Sequence, residues 1–92
     1  MNKQWNILVV DDEKIMRESL TAWLREDGYS VSMAASGTEA IELARDTNFA
    51  ICFIDLKMPP GPDGITTMIE IQKIRPKASA IIITAYATVD TA

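Results

Sequence analysis

The chain has 92 residues, 48% hydrophobic and 24% charged, which is the size and make-up of one small globular domain. Its net charge is −4 and its nine basic residues are scattered, so it offers no clustered lysines and arginines for a nucleic-acid backbone. It has no histidine and one cysteine, which excludes His-based metal sites, Ser-His or Cys-His catalytic pairs and any disulfide within the chain.

Taken in order, two kinds of segment alternate. Trp5 to Val10 is an apolar run broken only by Asn6, the pattern of a strand covered on both faces. Lys14 to Asp27 is expected to be a helix with Met16, Leu20, Trp23 and Leu24 inward and Arg17, Arg25 and Glu26 on the other side, stopped by Gly28. Val31 to Ala35 is a short strand. "SGTE" has the form of a capping box, with Ser36 at the cap and Glu39 three residues on, and its helix runs to about Thr47, burying Ala40, Ile41 and Ala44. "FAICFI", residues 49 to 54, is a second wholly apolar strand and ends at Asp55. It contains Cys52, whose apolar flanks mark a small core residue. The loop "LKMPPGPDG" then breaks regular structure, and Ile65 to Ile74 returns to a helix with Ile65, Met68, Ile69 and Gln72 along one side. "AIII", residues 80 to 83, is the last apolar strand and leads into Thr84; "ATVDTA" has the look of a further helix opening.

The order β-α-β-α-β-α-β predicts an α/β fold: a parallel sheet with right-handed crossovers and helices on its faces. Such a sheet collects the carboxyl ends of its strands on one edge, where ligands bind. Asp11, Asp12, Asp55 and Thr84 would meet there. A single acid at a strand end is explained by the positive end of the helix that follows it, and Glu13 fits that role. Acids ending two buried strands, with a threonine ending another, call for a shared ligand. All-oxygen ligation without His or Cys suits a hard cation, with Mg²⁺ the best fit, and the cation relieves the mutual repulsion of the carboxylates.

"ILVVDDE", "FIDLKMP", "DG" and "IIITAYA" together resemble the receiver (CheY-like) domain of bacterial two-component response regulators, across essentially the whole chain. "DLKMP" with "TAYATVDTA" is most similar to receivers of nitrogen-regulation-type transcriptional activators. The resemblance implies a flavodoxin-like three-layer sandwich with strand order 2-1-3-4, residues 1–92 forming one receiver unit that lacks the family's final strand and helix. It implies a phosphoacceptor rather than an enzyme, with possible self-catalysed phosphorylation and dephosphorylation. Asp55 would accept the phosphoryl group from a sensor histidine kinase. Asp12 would bind Mg²⁺ directly, Asp11 through water, and Lys57 through its backbone carbonyl. Thr84 would be the switch hydroxyl, Ala85 the small residue beside it, and Tyr86 and the Lys57 side chain the variable positions flanking the site. Two departures stand out. The loop before Asp63-Gly64 is one residue longer than the common family form, with the extra residue expected to bulge toward solvent. The lysine and aromatic of the family's last strand have no counterpart before Ala92.

Two other readings are a receiver-like module that docks proteins without phosphorylation and a small Mg²⁺-dependent phosphotransfer enzyme. The expected setting is cytoplasmic, without a membrane span, signal peptide or direct nucleic-acid contact, and with an output domain outside this chain. Strand 80–84 carries no Lys, Pro or charge to protect an edge, so the chain is expected to form a homodimer or larger assembly.

Overall fold

Five-residue runs as apolar as "NILVV" and "ICFID" can be strands in water only if helices cover both of their faces. The computed structural model, which describes residues 5–58 and 61–83, has that arrangement. In chain order it contains β1 (Asn6–Val10), α1 (Lys14–Glu26), β2 (Ser30–Ala34), α2 (Gly37–Asp46), β3 (Ile51–Asp55), α3 (Gly64–Ile74) and β4 (Ser79–Ile83). The strands form one parallel sheet, as the alternation predicts, in the order β2-β1-β3-β4 that the resemblance implies.

Alternation along β1 divides the core in two. Leu8 and Val10 face one way, packing with Ala34, Cys52 and Ile54 against Ala40 and Ala44 of α2, Ile71 of α3, Phe49 and Met58. Ile7 and Val9 face the other way with Val31, and there Leu20 and Leu24 of α1 pack beside Tyr29, Ile51 and Phe53. The sandwich therefore has α1 on one face and α2 with α3 on the other.

The helix ends follow their sequence signals. Ser36 Oγ accepts from the Glu39 amide at 3.1 Å, and Glu39 Oε1 accepts in return from the Ala35 amide at 2.8 Å, so the capping box reaches one residue further back than its usual form. After α1, the Gly28 amide donates to the Arg25 carbonyl at 3.0 Å with φ at +95°, a left-handed turn that a Cβ would disfavour.

Four expectations need correction. β3 begins at Ile51, not Phe49, although Phe49 is wholly buried just before it. In α1, Met16 and Trp23 are exposed, Trp23 at 76%. The inward stripe is Arg17, Leu20, Thr21 and Leu24, with Thr21 buried and the other three half-buried. These positions keep the i, i+3, i+4, i+7 spacing, but the polar Arg17 and Thr21 disguise it. In α3, Ile65 and Ile69 are exposed, whereas Gly64, Thr67 and Ile71 are buried. Small residues take the inner positions because the helices approach closely: a Cβ on Gly37 of α2 would collide with Thr67 Oγ1 and come within 3.0 Å of Pro62 Cγ. Ile41 is half-buried against the core rather than fully enclosed.

Candidate metal centre

The register of the parallel pairs assembles the acids. Val10 of β1 lies opposite Ile54 of β3, so Asp11 and Asp55 are the next residues on neighbouring strands. The Asp11 amide continues the ladder by donating to the Ala34 carbonyl at 3.1 Å, and the Leu56 amide does so on the other side, donating to the Ile83 carbonyl at 2.9 Å. Asp11 is buried, Asp55 half-buried and Asp12 exposed. One carboxylate oxygen from each of the three lies within 4.8 Å of the others.

Each acid has its own support. Asp11 Oδ1 accepts from the Glu13 amide at 2.9 Å, which fixes the turn into α1. Glu13 is the N-cap residue of α1, and its side chain makes no capping bond. Arg17, one turn into the helix, donates from Nη1 to the Asp11 backbone carbonyl at 2.8 Å. The sequence reading assigned Arg17 to the outer side. Its only sequence signal was its place in the disguised stripe.

The Asp55 carboxyl is pushed above its ordinary range, first by burial, then by the negative charges of Asp11 and Asp12, against a lowering contribution from the Lys57 and Leu56 backbone amides. An acid destabilised in its ionised form by two neighbouring acids is the electrostatic situation that a bound cation relieves. The donor set fits a hard divalent ion: oxygen only, gathered on one side, partly open to water. Asp11, Asp12 and Asp55 are the residues that would hold such an ion.

The loop after Asp55 is held at both ends. Met58 is buried in the core, while Lys57 is exposed beside the acids. Gly61, at φ +103°, has open space where a Cβ would stand, as a solvent-facing bulge requires. Asp63 Oδ1 accepts from the Thr66 amide at 2.8 Å and caps α3, and those bonds to Thr66 hold its carboxyl below the ordinary carboxylate range. Pro59 and Pro60 in this loop, and Thr84, Ala85, Tyr86 and the rest of the expected helix opening, lie outside the described residues. Cys52 is fully buried, and burial pushes its thiol up to about 11, so it is an inert core residue.

A family model of the response regulator receiver domain matches residues 7–92. The chain belongs to the response regulator receiver family. Among curated relatives, it is 41% identical over 87 residues to the transcriptional regulatory protein ZraR of Escherichia coli, covering 95% of this chain and 20% of ZraR. It is 36% identical over 91 residues to the alginate biosynthesis regulator AlgB of Pseudomonas aeruginosa, covering 98% of this chain and 20% of AlgB. The chain thus spans about a fifth of these relatives. Of the solved receivers, TrrA of Thermotoga maritima in complex with Mg²⁺-BeF superposes with a TM-score of 0.83 at 38% identity, over 91% of this chain and 72% of that one. A response regulator from Burkholderia pseudomallei, with a phosphorylated aspartic acid, a calcium ion and citrate, gives 0.85 at 28% identity, over 94% of this chain and 50% of that one. Among the described residues, no helix is long and apolar enough to cross a membrane.

Proposed function

We propose that this receiver accepts a phosphoryl group on Asp55, with Mg²⁺ held by Asp11, Asp12, Asp55 and the Lys57 backbone carbonyl. The observation that carries the reading is the convergence of three carboxylates at the strand ends, with Asp55 the acid whose ionised form is disfavoured. A bound Mg²⁺ supplies positive charge that keeps Asp55 ionised and offsets the charge on the phosphoryl oxygens. An Asp55 carboxylate oxygen forms the new bond to phosphorus as the bond from phosphorus to the donor breaks, giving an aspartyl-phosphate. From a phosphohistidine of a sensor histidine kinase, the leaving group is an imidazole that ends neutral by taking one proton. From acetyl phosphate, the leaving group is acetate.

The Leu56 and Lys57 amides face the Asp55 carboxyl. Thr84, one residue beyond Ile83 of β4, is assigned the switch hydroxyl that reports the phosphoryl group. We further assign residues 1–92 to one receiver unit, cytoplasmic like the transcription regulators it resembles, joined to an output domain that makes the nucleic-acid contacts this acidic chain does not. The unit is a phosphoacceptor with self-catalysed gain and loss of the phosphoryl group, not a turnover enzyme. The acid convergence favours this over a docking module that is never phosphorylated. Association is assigned to the outer side of β4, where Ile81 is 45% exposed, and to the adjoining apolar face of α1.

Intact-mass measurement after incubation with acetyl phosphate and Mg²⁺ tests the assignment. One added phosphoryl group is expected, absent without Mg²⁺ and absent in Asp55→Asn. Modification that persists in Asp55→Asn would move the site elsewhere. Sedimentation at several concentrations tests association, and a monomer at every concentration would refute it.

A further inference from the structure

We propose that Gly64 is a positioning residue for the metal centre: lacking a Cβ, it lets the first turn of α3 press against the end of β3 and so fixes the Leu56–Lys57 backbone beside Asp55. This inference rests on the cation site assigned above. A Cβ on Gly64 would collide with the Asp55 carbonyl oxygen and stand 2.8 Å from Leu56 Cα and 3.0 Å from the Asp55 carbonyl carbon. All three are backbone atoms, so no side chain can swing aside to make room.

Two hydrogen bonds make that contact a clamp. The Gly64 amide donates to the Leu56 carbonyl at 2.8 Å, and the Leu56 amide donates to the Ile83 carbonyl at 2.9 Å. Leu56 is thereby held between α3 and β4, with Lys57 next along the chain. The backbone amides of these same two residues, Lys57 and Leu56, act on the Asp55 carboxyl. Displacing the Asp55–Leu56 backbone to admit a methyl group would therefore shift the assigned metal carbonyl and the amides beside the phosphoacceptor.

Conformational freedom is not the reason for glycine here. The glycines with positive φ are Gly28 and Gly61. Gly64 is helical, and by propensity alanine would favour the helix. Any loss from Gly64→Ala thus isolates the steric contact.

The test compares Mg²⁺ binding by calorimetry with thermal unfolding for the parent chain, Gly64→Ala and Ile71→Val. The last thins the core of the same helix, away from the loop. Gly64→Ala is expected to bind Mg²⁺ about tenfold or more weakly, the scale of outer-shell changes at metal sites. Ile71→Val should unfold at a lower temperature but keep the parent affinity. Parent-like Mg²⁺ affinity in Gly64→Ala overturns the clamp and leaves the metal centre standing. A parent chain that does not bind Mg²⁺ overturns the metal centre and the clamp with it. Hydrogen exchange on the parent chain gives a second measurement that does not depend on the variant folding. Saturating Mg²⁺ should slow exchange of the Gly64 and Leu56 amides, and unchanged exchange at both while Mg²⁺ binds would refute the coupling.

Discussion

The two faces of the sheet are built to different depths. On one face, α2 and α3 enclose Phe49, Ile54, Met58 and Ile71 almost completely. On the other, among the described residues, α1 alone covers Ile7, Val9 and Val31, its contact residues Leu20 and Leu24 are half-buried, and Ile15, Met16 and Trp23 project outward. The deep face sets the stability of the fold. The shallow face leaves an apolar groove of about 540 Å³ between α1 and β4, lined by Met16, Leu20, Trp23 and Ile83 and reaching Asp11. The acids sit on the edge that joins the two faces, so the site draws its rigidity from the deep side and its access from the shallow one.

The largest effect should come from the deep face. Phe49→Ala removes a wholly buried ring and is expected to cost about 3–5 kcal/mol, a large share of the ~5–15 kcal/mol that holds a domain together. Leu20→Ala on the shallow face should cost less than about 2 kcal/mol, because half-buried side chains leave smaller cavities. Denaturant titration of both variants checks the contrast, and equal losses would mean that α1 is as firmly seated as α2 and α3.

At the edge between the faces, Asp12→Ala should weaken Mg²⁺ binding about tenfold or more, and Glu13→Ala only by about twofold, the scale of an exposed charge. Equal losses would remove Asp12 from the ligand set. Asp55 also makes a pH prediction. Its folded carboxyl is raised above the ordinary value of 3.8, so the folded state holds that proton more tightly than the unfolded state. The contribution of Asp55 to stability is then fully present below pH 3.8 and is lost as pH rises through the folded value. Asp55→Asn should abolish this loss, and so should saturating Mg²⁺. Thermal melts across the acidic range check both, and an unchanged pH profile in Asp55→Asn would show that the repulsion is not borne by Asp55.

The alternation of apolar runs with helical stretches made the parallel sheet legible, its strand order came from the family resemblance, and acids at the ends of two such runs made the site legible. What stayed hidden was rotational. In α1 the inward positions include Arg17 and Thr21, so a count of apolar residues turns the helix toward Met16 and Trp23. In α3 the inner face is set by how closely α2 and the loop approach, a tertiary constraint that favours Gly64 and Thr67 over Ile65 and Ile69. Arg17 beside Asp11 was missed for the same reason: a cation on an inward stripe reads as a solvated residue until the carbonyl it serves is known. The capping box of α2, by contrast, is wholly local, and Ser36→Ala is expected to cost ~1 kcal/mol, measurable as a lower denaturant midpoint with an unchanged slope.

The smallest expected effect is the most informative about the shallow face. Trp23 is 76% exposed, so Trp23→Gln in an isolated chain should change stability by no more than about 0.5 kcal/mol. The ring nevertheless forms a wall of the groove beside Met16, Leu20 and Ile83. If a second copy of the chain seats there, the exposed area is buried in the assembly, and the same substitution acquires a cost that grows with protein concentration. Melts of the parent chain and Trp23→Gln at low and high concentration separate the two cases. A constant, near-zero difference assigns the groove to open surface and confines association to β4. A difference that widens with concentration places the partner against α1, on the side of the sheet that reaches Asp11.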